Sequence, residues 1–216
     1  MRAAAVLSFA LLFVAAVGGQ SPAPLLDSQA FLDKYGRQAP PKVDAAKIQA
    51  LVAQMTAKEK VGQMTQLELG MITDGWGDAM KISPEKLRKA IVDYGVGSML
   101  NVKDQAIPQQ KWREILAAID AEAKKTRLKI PVVYGIDSIH GANYVRGAEL
   151  FPQPLGMAST WNADLMMEAS RMTAIETRAA GIPWNFSPVL DIGRQPLWPR
   201  LYETFGEDVH LSLIHI

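Results

Sequence analysis

Four apolar runs at 61–69, 96–102, 130–136 and 185–191, separated by stretches of helical periodicity, constrain this chain more than any other feature. Between the first two, Ser83-Pro84 places an N-cap before a proline at the first helical position, and Leu87, Ala90, Ile91 and Tyr94 share one face before Gly95. Trp112, Ile115, Leu116 and Ile119 mark a second helix over 109–125. Asn162 caps a third, reaching about 180, with a predicted buried stripe of Leu165, Ala169, Met172 and Ile175 and with Gly181 as its C′ residue. Upstream, Ile48, Leu51 and Val52 predict a short helix over 47–55. Thr56-Ala57-Lys58-Glu59 has capping-box spacing for a turn that Gly62 ends.

The run at 130–136 is apolar on both faces, as a central parallel strand is. Repeated strand–helix–strand order implies right-handed parallel crossovers, and hence an α/β fold. A complete (β/α)8 barrel takes roughly 250 residues. Four visible strands therefore predict half a barrel or a smaller open sheet.

The N-terminus lies outside that pattern. Met1-Arg2 is a short basic start, 3–17 is apolar, and Ala16, Gly18 and Gly19 precede the polar stretch Gln20-Ser21-Pro22-Ala23-Pro24. This is the layout of a secretory signal peptide over 1–20, followed by a Pro-rich linker or arm over 21–45. The apolar run is shorter than the roughly 20 residues of a membrane span. The expectation is a secreted or periplasmic protein with no stable membrane span after cleavage.

Composition removes several classes. Lys plus Arg is 23 against 22 for Asp plus Glu, so nothing draws the chain to nucleic acid. There is no cysteine, hence no disulfide framework, and the three histidines (His140, His210, His215) lack HExxH-type spacing. Neither a metal nor another cofactor is expected. GxSxG, GxGxxG and GxxxxGK[ST] are absent as well.

Chemistry in α/β folds gathers at the C-terminal ends of the strands. The second run ends at Asn101, and the third enters Asp137-Ser138-Ile139-His140-Gly141-Ala142-Asn143. The fourth leads into Asp191-Ile192-Gly193-Arg194 and on to Trp198-Pro199-Arg200-Leu201-Tyr202-Glu203. A carboxylate at Asp137, the fork of Arg200 and the apolar face of Trp198 would together suit a neutral polyhydroxyl ligand. Plainer readings stand beside this one. Asp137 could cap a turn, Arg200 and Glu203 could form an i, i+3 ion pair, Trp198 could fill core, and His140 could orient a loop.

Several ordered blocks carry a resemblance. Glu59-Lys60-Val61-Gly62-Gln63-Met64-Thr65, then Gly135-Ile136-Asp137-Ser138-Ile139-His140-Gly141 with Phe151-Pro152-Gln153-Pro154-Leu155-Gly156, form the first two. Asn185-Phe186-Ser187-Pro188-Val189-Leu190-Asp191, Trp198-Pro199-Arg200 and Tyr202-Glu203-Thr204-Phe205-Gly206-Glu207-Asp208 complete the set. Over 46–208 the chain resembles the N-terminal domain of glycoside hydrolase family 3. The resemblance implies the first four to five βα units of a (β/α)8 TIM-type barrel that binds a terminal β-linked glucoside or oligosaccharide. It matches Asp137 and Arg200 to residues that hold the sugar in the bond-cleaving subsite. Trp198 is counted with them as substrate-binding, and His140 and Glu203 as orienting groups. Pro199 stands where the family more often has Gly.

The implied chemistry is retaining hydrolysis of a β-glucosidase type, through a glycosyl-enzyme intermediate, with two carboxyls about 5 Å apart. Those carboxyls, the nucleophile and the acid/base, are expected to lie beyond this chain, so the piece alone is expected to be inactive. The tail at 209–216 departs from the family pattern and reads as non-native sequence. β-Xylosidase or β-N-acetylglucosaminidase activity, or a non-catalytic carbohydrate-binding protein, are the alternatives.

Overall fold

The computed structural model describes residues 42–102 and 105–213. The expected leader at 1–20, most of the expected arm at 21–45 and the last three residues of the chain therefore lie outside the described residues. Asp44 caps α1 (Ala45–Gln54), its carboxylate accepting from the Lys47 N–H at 2.9 Å. A capping box opens α2 (Ala57–Gln63): Glu59 N–H donates to Thr56 Oγ1 at 3.2 Å, and Thr56 N–H donates to Glu59 Oε2 at 2.8 Å. Arg127 fastens both helices to the body, donating to Gln54 O at 2.8 Å and to Glu59 Oε2 at 2.6 Å. That guanidinium, helped by the Thr56 N–H, holds the Glu59 carboxyl down at about 2.

The turn expected to end at Gly62 instead continues to Gln63, and the first strand contracts to β1 (Gln66–Glu68). Gly62 is there for close approach. A Cβ on it would stand 2.5 Å from Gly95 O and 2.7 Å from Gly95 C. Backbone atoms cannot rotate aside as a side chain can, so Gly62→Ala is expected to cost about 3 kcal/mol. A fall in the urea midpoint at unchanged slope checks this; an unchanged midpoint would refute it.

A two-stranded antiparallel ribbon of β2 (Thr73–Asp74) and β3 (Lys81–Ile82) follows. Next comes α3 (Pro84–Arg88), which runs into a π-turn at Lys89–Asp93. Beyond β4 (Ser98–Leu100) and β5 (Ile107–Pro108), α4 (Gln109–Ala123) is the helix the periodicity predicts. Then come β6 (Val133–Ile136), β7 (Val145–Arg146), α5 (Pro154–Ala158) and α6 (Ala163–Ala179). The order closes with β8 (Trp184–Asn185), a 3-10 turn at Leu201–Glu203 and α7 (Val209–Leu213).

Four strands form one parallel sheet in the order β1-β4-β6-β8, with Met99 beside Tyr134 and Gly135 beside Trp184. The fold is α/β, and the sheet is an open part of a barrel. Side chains alternate across a strand, and the two faces differ sharply. Met99, Tyr134 and Ile136 are buried in one apolar cluster with Trp112, Ile115 and Ile119 of α4. The Trp112 ring meets Tyr134 edge-on at 5.5 Å, and its indole N–H donates to Tyr144 O at 2.9 Å. On the opposite face Val133 and Trp184 remain 44% exposed. Gly135 lies on that face too, and the Phe186 ring occupies the room a side chain would take, with Cε1 2.6 Å from where a Cβ would be. Trp184 meets the same ring edge-on at 4.6 Å.

Two further expectations are corrected. The fourth run pairs only at Trp184–Asn185, extended by the Phe186 N–H bond to Ile136 O at 2.9 Å. Also, α6 buries Ala163, Met166, Thr173 and Thr177, while Leu165 and Ile175 stand 47% and 48% exposed. The cause is the polar loop beneath the helix. Thr177 Oγ1 donates to the buried Ser138 Oγ at 2.9 Å, a partner that an apolar stripe could not satisfy.

Candidate functional site

The end of β6 delivers Asp137 and Ser138 between two asparagines that finish the neighbouring strands. From β4, Asn101 Oδ1 accepts the Asp137 N–H at 2.9 Å, which leaves its Nδ2 to donate to Asp137 Oδ2 at 2.6 Å. From β8, Asn185 Oδ1 accepts the Ser138 N–H at 3.0 Å and its Nδ2 donates to Ser138 O at 3.1 Å. A third, Asn143, donates to Asp137 O at 2.9 Å and Gly141 O at 3.1 Å once its amide is turned to face those carbonyls. Asn101 adopts a left-handed backbone at φ 43°, a conformation asparagine tolerates better than most residues. Its own carbonyl accepts the Tyr134 hydroxyl at 2.5 Å. Burial pushes that phenol well above its usual range. Among the described residues Asp137 Oδ1 takes no hydrogen bond.

Arg200 enters from the 3-10 turn. Its Nε donates to both Glu203 oxygens at 3.0 Å, and a terminal nitrogen reaches Oε2 at 2.6 Å. Glu203 is only 5% exposed, so the i, i+3 ion pair of the plainer reading is present. The pair raises the Arg200 pKa, chiefly through the Glu203 hydrogen bonds; the charges of Asp137 and Asp191 add to the effect. The guanidinium therefore sits in the field of the strand-end carboxylate as well as in its own pair.

Trp198 is half-buried, and its backbone bridges Gln195 O at 3.0 Å and Leu201 N at 3.1 Å. Among the described residues no hydrogen bond or ring contact joins it to Asp137 or Arg200. His140 Nδ1–H donates to Phe151 O at 2.8 Å, and the Phe151 N–H returns a bond to His140 O at 2.8 Å. That reciprocal pair fixes the loop between β6 and α5. His140 also lines a cavity of about 250 Å³ with Ser138, Phe151, Met157, Met166 and Phe205. Neither Asp137 nor Arg200 lines it.

The asparagine partners escaped the sequence reading, although Asn101 was visible as a polar strand end. The available signal was asparagine at the finish of two strands flanking the Asp-Ser pair. Chemically, a rigidly held carboxylate can accept from a ligand hydroxyl, and a guanidinium can donate to one. Among the described residues no group of three or more His, Asp or Glu could hold a metal ion, and no helix is long and apolar enough to cross a membrane.

Residues 56–214 match the glycosyl hydrolase family 3 N-terminal domain. The chain is 40% identical over 171 residues to a lysosomal beta glucosidase of Dictyostelium discoideum, covering 75% of this chain and 21% of that protein. It is 32% identical over 174 residues to a periplasmic beta-glucosidase of Salmonella typhimurium, covering 81% and 20% respectively. The crystal structure of an exo-1,3/1,4-beta-glucanase from a Pseudoalteromonas species superposes with a TM-score of 0.64 at 34% identity, over 79% of this chain and 21% of that one. The chain thus spans about a fifth of the length of the curated relatives it matches. The family match contains β1 through β8, Asp137 and Arg200, and on that footing the chain belongs to glycosyl hydrolase family 3.

Proposed function

We propose that this chain supplies the sugar-holding part of the active site of an exo-acting, retaining β-glucosidase. The observation that carries the reading is the Asp137 carboxylate, fixed at a strand end by the amide of Asn101. Asp137 accepts from ring hydroxyls of a terminal β-linked glucose, Arg200 donates to the same sugar, and Trp198 offers it an apolar face. His140 and Glu203 orient the loop and the guanidinium. On this reading the nucleophile and the acid/base are supplied by other parts of the enzyme, since the chain spans about a fifth of the length of its curated relatives. The names of the relatives, two beta-glucosidases and an exo-1,3/1,4-beta-glucanase, support glucose as the sugar. The periplasmic relative supports a secreted or periplasmic location.

The full-length product is expected to hydrolyse an aryl β-glucoside about 100-fold better, in kcat/KM, than the matching β-xyloside or β-N-acetylglucosaminide, a margin one substituent can set. Preference for either of the other two would reassign the sugar. Sugar binding without any turnover would make the protein a carbohydrate-binding one.

A further inference from the structure

We infer that Asn101 is a positioning residue for the sugar-holding carboxylate: the amide of Asn101 orients Asp137, and the buried Tyr134 hydroxyl locks Asn101 in place. The inference rests on the proposed glycosidase reading and extends it to a residue that touches no substrate.

Three observations point the same way. First, the Asn101 amide is used at both ends on one target, accepting from Asp137 N–H at 2.9 Å and donating to Asp137 Oδ2 at 2.6 Å. The backbone bond fixes the amide orientation, so the donor has no choice but to face the carboxylate. One carboxylate oxygen is thereby pinned. Second, Asn101 holds a left-handed backbone, φ 43°. Such strain persists only where the surroundings over-determine it. Here they do: Asn101 N–H donates to Gly135 O at 3.1 Å, and its carbonyl accepts from Tyr134 Oη at 2.5 Å. Third, Tyr134 is 1% exposed and packed against Trp112. The hydroxyl thus hangs from the rigid face of the sheet and transmits that rigidity to Asn101 and on to Asp137.

Asn185 offers the internal contrast. It clamps Ser138 through backbone atoms alone, at 3.0 and 3.1 Å, so its part is to hold the loop. Asn101 reaches the side chain whose direction matters. A carboxylate free to rotate about its own torsions would lose alignment with ring hydroxyls, and misplacement on the scale of 1 Å costs about 100-fold.

Two substitutions separate this from mere support of the loop. Asn101→Gly suits the left-handed backbone and keeps the Tyr134 bond while deleting the amide. Asn101→Asp is isosteric and keeps an acceptor for Asp137 N–H, but replaces the donor with a second carboxylate. In the full-length enzyme, assayed on an aryl β-glucoside, Asn101→Gly is expected to lower kcat/KM by about 10- to 100-fold. Its melting temperature should stay within about 3 °C of wild type. Asn101→Asp is expected to lose at least as much activity. On an Asp137→Ala background, Asn101→Gly should change kcat/KM by less than about twofold, because two residues acting as one unit do not add.

Activity of Asn101→Asp within about twofold of wild type would overturn the inference, since only the backbone acceptor would then matter. Losses that multiply in the double variant would overturn it too. A wild-type enzyme that turns over no aryl glycoside would remove the glycosidase reading and this inference with it, whereas an active wild type with indifferent Asn101 variants removes this one alone.

Discussion

Asp137→Ala in the full-length enzyme is expected to lower kcat/KM on an aryl β-glucoside by about 1,000-fold. A carboxylate accepting two hydroxyl bonds gains roughly 1.5–3 kcal/mol from each. Losing about 4 kcal/mol of transition-state stabilisation corresponds to about three decades in rate. Asp137 is half-buried, so the variant must first be shown to melt normally. With folding intact, an activity within about tenfold of wild type would show that this carboxylate does not hold the sugar. Asp137→Asn is the sharper companion. It keeps the shape but brings an amide against the Asn101 donor at 2.6 Å, and we expect it to fall between wild type and the alanine variant.

The largest stability effect is expected at Trp112→Ala, about 4 kcal/mol by denaturant unfolding. The indole is wholly buried, meets Tyr134 edge-on at 5.5 Å and gives its N–H to Tyr144 O at 2.9 Å. Removing it opens a cavity between α4 and the sheet and deprives a carbonyl of its donor. A loss of about 4 kcal/mol is a quarter or more of the stability of a typical domain. Trp112→Phe should recover most of the packing and lose mainly the indole bond, about 1–2 kcal/mol. A loss under about 2 kcal/mol for the alanine variant would mean that the helix collapses onto the sheet to refill the space.

What could be read from the sequence was whatever is decided locally. The cap at Asn162, the box at Thr56 and Glu59, and the face of α4 led by Trp112 each rest on neighbours within a few positions, and the structure contains all of them. The order of strands and helices was equally legible. The buried side of α6 was not. Its choice of Thr173 and Thr177 over Leu165 and Ile175 depends on Ser138, which lies 39 positions from Thr177. The same distance in sequence hid the partners of the Asp-Ser pair. Asn101 stands 36 positions before Asp137, and Asn185 stands 47 after Ser138. Only parallel pairing brings those strand ends together, and apolar periodicity says nothing of where a strand end stops. Hence β8, expected over seven residues, pairs over two.

The fit of Phe186 into the gap above Gly135 has an evolutionary consequence. The ring and the missing side chain are two halves of one filled volume on the face of the sheet away from α4. Among descendants of this sequence, a side chain can arise at 135 only where 186 has already become small. A small residue at 186 in turn leaves a void that selection would refill from 135. The two positions should drift as a pair, bulky and absent exchanging places, even though Trp184 rather than Phe186 is the strand neighbour of Gly135.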